Sequence, residues 1–350
     1  MVERFVLVLA GGRGERFWPW SRPDRPKQLL PLATGGRSLL AATVERAVAV
    51  VPPDHVLVLT SPNLVEASRA QCPAGVQVVG EPLARNTAPA VAAAARVFEA
   101  RSSGAVFAVM PADHAIENAA AFRADLERGF VAAARDPVLV TIGVPPAAAD
   151  TGFGYIRRGP ALAPPLFRSA GFREKPDAET ARAYLAAGDY LWNTGIFVWG
   201  ARTFLAALEA SRPDMAEALR DLDVTALEDA ARAWRPAFER LPSISVDYAV
   251  LELAPNVVVL QASFDWDDLG SWQAWARRQP RDGRGNVLRG DALAVDCDEC
   301  VVVGEGGTAV AFGMRRAVVV HVDGTTLSCP LEAGDRLRQV SDALRARETA

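Results

Sequence analysis

The chain has 350 residues, half of them hydrophobic and 23% charged, with a net charge of −4. That length suggests two domains, or one large domain with an appendage, and a core of useful size. The balance excludes a global field that would gather nucleic acid, so no nucleic-acid partner is expected and any anion binding must be local. There is no apolar run of about eighteen residues, and the N-terminus leads straight into a strand. Neither a membrane span nor a signal peptide is therefore expected, and the cytoplasm is the natural compartment. Cys72, Cys297, Cys300 and Cys329 do not make a disulfide framework in a chain this long.

The first element carries most of the information. An apolar run, Phe5 to Leu9, drops into Ala10-Gly11-Gly12-Arg13-Gly14-Glu15-Arg16, and Lys27 follows in a proline-stiffened tail. Glycines let backbone N–H groups turn toward an anion, because no Cβ stands in the way. Arg13, Arg16 and Lys27 bring fixed positive charge to the same mouth, as a polyphosphate requires. A P-loop is excluded, since Gly14 is followed by Glu15-Arg16-Phe17 rather than Lys-Ser/Thr. A dinucleotide fingerprint is excluded too, because Pro19, Pro23, Pro26 and Pro31 forbid the long helix it needs. What is left is a glycine loop for a nucleoside triphosphate. A plain strand-to-helix turn would have no use for the spaced cations.

Over the first 145 residues the pattern predicts strands at 5–9, 55–59, 76–79, 105–110 and 138–142, alternating with helices at 38–50, 62–71, 87–101 and 119–135. Short continuous apolar strands separated by helices argue for a parallel sheet covered on both faces. Ligands of such sheets collect at the carboxyl ends of the strands. Glu81-Pro82-Leu83-Ala84-Arg85-Asn86-Thr87-Ala88-Pro89 lies at one such end and offers donors and acceptors for a base edge. A helix start with Asn86 or Thr87 as cap accounts for it equally well. Asp113 follows the strand at 105–110, and His114 beside it reads as structural or substrate-orienting rather than catalytic.

The middle of the chain is less regular. Residues 152–156 and 172–176 look like strand ends or turns, and Asp177 could cap a helix running to Gly188. Further helices are predicted at 201–211, 213–222 and 225–234. Glu174-Lys175-Pro176 and Trp192-Asn193-Thr194-Gly195 supply a carboxylate, a cation and an amide suited to a sugar phosphate. On local grounds a surface ion pair is the simpler account of Glu174 and Lys175. The run Asp265-Trp266-Asp267-Asp268-Leu269-Gly270-Ser271-Trp272 is a second acidic cluster. Magnesium on a nucleotide takes one or two carboxylates plus phosphate oxygens, and Asp113 and Asp268 can each offer one. Alone, each reads equally well as a turn or cap residue; beside the basic loop, the metal reading is favoured. Asp267 competes with Asp268 for the role.

Beyond Trp275 a polar, glycine-rich connector leads to β-branched runs at 292–295, 300–303, 308–312 and 317–322, then to a polar helix at 332–348. Runs about eight residues apart suggest a small β-domain or β-solenoid. The boundary falls near Gly283, giving domains 1–283 and 284–350. Cys297 and Cys300, with His321 and Cys329, lack the second CxxC that a zinc site would show, so buried structural cysteines are the better reading.

In order, LAGGRGERFWPWSRPDRPKQLLPL, EPLARNTAPA, PADH, FGYI, FREKP, WNTGIFVW, SVDYAVLE and FDWDDLGSW resemble the sugar-nucleotide pyrophosphorylases, over Leu9 to Trp272. Within that family the likeness is to members that join GTP and mannose 1-phosphate. The resemblance implies a Rossmann-like α/β nucleotidyltransferase domain with a mostly parallel or mixed sheet, followed by a small β-helix-like domain. It implies Arg16, Lys27, Asp113 and Asp268 as catalytic residues, the two aspartates holding Mg²⁺. Leu9, Ala10, Gly11, Gly12, Gly14, Glu81, Asn86 and Thr87 would bind the nucleotide. Gly154, Glu174, Lys175, Asn193 and Thr194 would bind the sugar phosphate. Arg13 stands where many members carry a small polar residue. The chain has no room for the isomerase domain of bifunctional relatives, so a single activity is expected. Related enzymes often pack the β-rich tail on a second subunit, so a homodimer is one assembly the resemblance allows.

A sugar phosphate has a second pKa of about 6 and is already an anion at neutral pH. No general base or covalent nucleophile is then needed, in keeping with the lack of a Ser-His-Asp or Cys-His arrangement. Three rival readings stay open. One is a pyrophosphorylase for glucose 1-phosphate with dTTP or UTP. Another is a non-catalytic subunit that binds GDP-mannose, which should have lost basic or acidic site residues. The third, a nucleotide-binding dehydrogenase, is opposed by the prolines after the loop.

Overall fold

The computed structural model describes residues 2–12 and 14–348. It divides into two compact units. One takes the chain up to Gly11, Leu40–Ala112 and Ile116–Trp266; the other takes Gly12–Leu39, Asp113–Ala115 and the chain from Asp267 on.

The first unit is built on a nine-stranded sheet. Its strands are β1 (Arg4–Leu9), β2 (Val56–Thr60), β3 (Gln77–Gly80), β4 (Val106–Pro111), β5 (Leu139–Val144), β6 (Tyr155–Ala163), β7 (Leu166–Arg173), β8 (Tyr190–Gly200) and β9 (Val257–Gln261), in the order β3-β2-β1-β4-β8-β5-β9-β7-β6. The block β3-β2-β1-β4 is parallel, as the sequence pattern predicts, and β5 pairs in parallel with β9. Phe5, Val6, Leu7 and Val8 are all buried, which requires cover on both faces of β1. The sheet as a whole is mixed, as the resemblance implies. β8 enters between β4 and β5 antiparallel to both, and β6 and β7 form an antiparallel pair. The pairing of β5 with β8 jumps from Ile142–Ile196 to Gly143–Asn193, leaving Thr194 and Gly195 as a bulge. Bulges re-aim side chains beside functional sites, and polar residues at the bulge hide the strand from a hydrophobic reading.

The helices are α1 (Leu39–Val48), α2 (Val65–Arg69), α3 (Thr87–Arg101), α4 (Ala119–Arg135), α5 (Ala178–Ala187), α6 (Ala201–Ser211), α7 (Pro213–Ala218), α8 (Ala230–Ala233), α9 (Arg235–Arg240), α10 (Trp272–Arg277) and α11 (Arg338–Glu348). The long ones match their patterns and caps. Asn86 caps α3, Asp177 caps α5 through the Thr180 N–H at 2.8 Å, and Gly188 ends α5 in the left-handed region. The helix expected at 225–234 shrinks to α8, and that at 213–222 to α7. The helix expected at 62–71 splits into a 3₁₀ turn, Pro62–Leu64, and α2.

The second unit holds a four-stranded sheet of β10 (Val287–Val295), β11 (Val301–Phe312), β12 (Ala317–Val322) and β13 (Thr325–Pro330). β10, β11 and β12 run parallel and β13 returns antiparallel to β12. Of the short runs seen in the sequence, 300–303 and 308–312 join in β11, 292–295 ends β10 and 317–322 stands alone as β12; β10 and β11 pair in two blocks with a register shift between Gly290 and Ala292. The terminal helix begins later than expected, after a 3₁₀ stretch, Leu331–Arg336. One core joins Phe17, Trp20 and Leu30 of the glycine-loop tail to Trp272 and Trp275 of α10 and to Val301, Val303, Val318 and Val320 of the sheet. Trp20 stacks on Trp272 with ring centroids 5.9 Å apart and planes within 9°. No helix among the described residues is long and apolar enough to cross a membrane.

One buried carboxylate ties α4 to the exit of β9. Asp125 has no exposed surface, and its Oδ2 accepts from the Ser263 N–H at 2.6 Å and the Ser263 hydroxyl at 2.8 Å. Its Oδ1 accepts from Arg128 at 2.5 Å. Asp125→Ala leaves these donors without their acceptor and is expected to lower unfolding free energy by ~3 kcal/mol, measured by urea denaturation.

Candidate active site

The glycine loop begins where β1 ends. Ala10 is buried and donates its N–H to the Leu59 carbonyl at 2.8 Å, while Gly11 and Gly12 are exposed. Gly14 has φ +60°, and a methyl group there would fall 2.4 Å from the Lys27 nitrogen and 2.5 Å from its Cβ. Only glycine satisfies both the backbone angle and that approach. The Gln28 amide donates to the Gly12 carbonyl at 3.1 Å, so loop and tail pack as one piece. Arg13 lies outside the described residues. Arg16 is exposed, with its guanidinium 3.4 Å from the Gly270 carbonyl.

Lys27 has only 8% of its side chain exposed. Its ammonium donates to Asp113 Oδ2 at 3.0 Å and to the Asp268 carbonyl oxygen. Asp113 stands two residues beyond β4, deep among its neighbours yet with 41% of its side chain open. Burial pushes its pKa up, but Lys27 and His114 more than offset this and hold the carboxyl below its ordinary value. Asp268 behaves oppositely: burial raises it against the pull of Lys27, with Asp267 and Asp113 adding repulsion. Asp267 is engaged elsewhere, its Oδ1 accepting from the Leu269 N–H at 2.8 Å and its Oδ2 lying 3.7 Å from Arg277.

Two mutually repelling carboxylates thus lie near one ammonium, which bonds the carboxylate of Asp113 and the main chain of Asp268. A divalent cation suits this donor set, because hard oxygen ligands and excess negative charge are what it neutralises. Among the described residues no group of three acidic, histidine or cysteine side chains converges as a metal cage. Two carboxylates, with the remaining positions left to phosphate oxygens and water, are the arrangement magnesium takes with nucleotides. Cys297 and Cys300 are buried, and their thiols meet the backbone carbonyls of Val295, Asp298 and Met314.

In the other unit, Glu81 follows β3 and sits beside Gly11. Burial raises its pKa to about 8, and its buried Oε1 has no hydrogen-bond partner among the described residues. Asn86 is exposed with φ +65°, its side chain accepting from the Thr87 N–H at 2.8 Å. The Thr87 hydroxyl accepts from the Val246 N–H at 2.9 Å. With Ala88 bonded to Ile244 and Ile244 to Arg85, this zips the α3 start to the segment before Asp247. Both the capping and the functional readings of Asn86–Thr87 therefore remain compatible with its place.

The same unit gathers the sugar-phosphate candidates. Gly154 backs onto Glu174, whose Oε2 would lie 2.3 Å from a methyl group there. Glu174 is nearly buried and accepts from Lys175 at 2.7 Å. The Asn193 amide oxygen accepts from the Thr141 hydroxyl and the Gly195 N–H, and its nitrogen donates to Asp247 Oδ1 at 2.8 Å. The Thr194 hydroxyl is buried and donates to the Ile142 carbonyl at 2.7 Å, so it holds the bulge rather than facing an opening. The segment SVDYAVLE carries part of the resemblance, yet sequence reasoning gives Asp247 no role. Here it opens a π-helical turn, Asp247–Leu251, and its pKa is raised to about 6, by burial first and then by Glu174. An acid ahead of the apolar stretch Ala249–Leu251 was the available signal. π-Helical turns often occur at functional sites.

Residues 5–283 match the model of a family described as nucleotidyl transferase. The chain belongs to that family. A mannose-1-phosphate guanylyltransferase of Escherichia coli is 35% identical over 97% of this chain and 73% of its own. The xanthan biosynthesis protein XanB of Xanthomonas campestris is 35% identical over 98% of this chain and 73% of its own. Among solved structures, one described as mannose-1-phosphate geranyltransferase, from Thermus thermophilus, superposes with a TM-score of 0.88 at 35% identity, covering 98% of this chain and all of that one. A UTP-bound UGPase from Acinetobacter baumannii shares the fold at 16% identity, with a TM-score of 0.51 over 79% of this chain and 92% of its own. This nucleotidyl transferase combines a large mixed α/β sheet with a second sheet at its C-terminal end.

The raised pKa of Asp247 has a defined consequence for stability. A carboxyl whose folded pKa lies above its unfolded value of 3.8 favours folding fully below pH ~4, and that contribution is lost as pH rises through about 6. Asp247→Asn removes the charge, and is expected to be more stable than the wild type by up to ~3 kcal/mol above pH 7. The gain should vanish below pH ~4, as measured by denaturant titration across that range.

Proposed function

We propose that the chain transfers GMP from GTP to α-D-mannose 1-phosphate, giving GDP-mannose and pyrophosphate. The observation that carries this reading is the Lys27 ammonium, buried under the glycine loop between Asp113 and Asp268. Such an arrangement serves a polyphosphate, and the names of the relatives supply the substrate pair. The sugar phosphate attacks through an oxygen that is already ionised. A bond forms from that oxygen to the α-phosphorus of GTP while the bond to the bridging oxygen of pyrophosphate breaks. No covalent enzyme intermediate is required, and the barrier is repulsion between anions. Asp113 and Asp268 would hold Mg²⁺, which supplies charge neutralisation on the triphosphate and on the departing pyrophosphate. Lys27 and Arg16 act on the same phosphates, and Lys175 meets the sugar phosphate. Glu174 and Asn193 take sugar hydroxyls, with Asp247 buttressing Asn193.

Glu81 supports the choice of base. Its buried Oε1, without a partner among the described residues, can accept from a guanine N–H, and the paired N1–H and N2–H donors would draw the carboxyl to its ionised, two-acceptor form. A glucose-1-phosphate pyrophosphorylase using a pyrimidine nucleotide would not call for an acceptor of two donors. A binding-only subunit is disfavoured because Lys27, Asp113 and Asp268 are all present. Residues 1–283 are read as the transfer domain and 284–350 as its β-helix-like appendage, acting in the cytoplasm.

Pyrophosphate release across four nucleoside triphosphates and three sugar phosphates should be greatest with GTP and mannose 1-phosphate. Best turnover with another pair sinks the assignment. Lys27→Ala and Asp113→Ala are each expected to lower kcat/KM by ~10²–10³, and near-normal turnover in both would refute the mechanism. Glu81→Ala should raise the KM for GTP by ~10-fold or more while the KM for mannose 1-phosphate stays within about two-fold.

A further inference from the structure

The basic tail does not deliver all its cations to the phosphate mouth. Arg22 and Arg25, between the glycine loop and Lys27, are committed to two acids of the C-terminal sheet. Glu305 on β11 uses both carboxylate oxygens: Oε1 accepts from Arg25 at 2.5 Å and Oε2 from the Trp20 indole N–H at 2.6 Å. Asp323, in the turn between β12 and β13, accepts from Arg22 at 2.6 Å. The Asp323 N–H donates to the Glu305 carbonyl at 3.1 Å, so the two acids are fixed relative to each other. Arg22 and Arg25 are in turn bonded to each other through their backbones, each N–H to the other's carbonyl at 3.0 Å. Two residues after Arg25 comes Lys27, in a 3₁₀ turn.

The same anchor reaches the acidic side of the site. Trp20, held by Glu305, stacks on Trp272, and Trp272 opens α10 four residues after Asp268. The path therefore runs from Glu305 through Trp20 and Arg25 to Lys27, and through Trp20 and Trp272 to the loop of Asp268. The Arg25–Glu305 pair is about 40% exposed on both sides, so as an isolated ion pair it contributes little to stability. Trp20, however, is 1% exposed, and losing Glu305 leaves a buried N–H without its acceptor.

We propose that Glu305 is a positioning residue for the phosphate-binding lysine, the C-terminal sheet holding the tail so that Lys27 meets Asp113 and Asp268. This rests on the reading of Lys27 as the polyphosphate cation. A reacting group displaced by about 1 Å can lose ~10²-fold in rate, which is the scale such an anchor controls.

The test uses the full chain with GTP, Mg²⁺ and mannose 1-phosphate, comparing Glu305→Ala, Glu305→Gln, Arg25→Met and the Ala/Met double variant. Glu305→Ala should lower kcat/KM for GTP by ~10–100-fold, with the KM for mannose 1-phosphate within about two-fold. Glu305→Gln should fall between, since its amide oxygen still accepts from Trp20 while the charge facing Arg25 is gone. The double variant should be no worse than Glu305→Ala, because both changes break one contact. Kinetics of a folded Glu305→Ala within about two-fold of wild type overturn the proposal, as do equal rises in both KM values or strictly additive losses. If Glu305→Ala fails to fold, Glu305→Gln carries the same comparison. Lys27→Ala in the same assay separates the two readings. If it retains wild-type turnover, the proposed function fails; if it is inactive while Glu305→Ala is normal, only the positioning role fails.

Discussion

Everything in the second unit converges on a single ammonium group. Lys27 is nearly buried, and an ammonium withdrawn from water needs partners in place of its lost hydration. The carboxylate of Asp113 and the carbonyl of Asp268 take that place, from segments 86 and 241 residues away in sequence. The glycine loop packs on the same residue, since Gly14 lies within a methyl's reach of the Lys27 backbone nitrogen and Cβ. The hydrophobic packing of Phe17, Trp20, Trp272 and Trp275 keeps the contributing segments in register. Apolar burial, which is non-directional, here fixes the geometry of a directional polar contact.

The sugar-phosphate candidates are arranged by a different compromise. Glu174 and Asp247 are two acids close enough to repel, with Lys175 and the Asn193 amide as their compensation. Bringing them together costs folding free energy at neutral pH, the kind of local conflict that functional sites display. The bulge in β8 presents Asn193 to Asp247, while Thr194 steadies the bulge through Ile142. An irregularity in a central strand thereby becomes a means of aiming an amide.

Much of the fold was legible from local pattern. The caps at Asn86 and Asp177, the left-handed stop at Gly188 and the alanine-rich run of α3 each follow from near neighbours in sequence. The parallel block from β3 to β4 follows from apolar runs separated by helices. β8 escapes a sequence reading because its polar bulge residues break the alternation, and the helix at 225–234 is over-extended there because capping and turn residues hold most of that stretch out of helix. Among the candidate functional residues of the two units, Lys27, Asp113, Asp268 and Glu174 stood out as charged residues at loop positions. Asp247 did not, since one acid at the head of an apolar helical stretch looks like an ordinary first-turn residue.

The division follows from the range of the forces involved. Sequence by itself determined which segments turn, cap or run apolar, and suggested an anion for a glycine loop trailed by cations, because these depend on neighbours within a few residues. Only the tertiary structure decided which acid each cation meets. Arg22 and Arg25 share the tail with Lys27, yet Asp323 and Glu305, some 300 positions on, engage those two while Lys27 meets Asp113. Pairing between charges depends on distance in space, and distance in space is what the folded chain supplies.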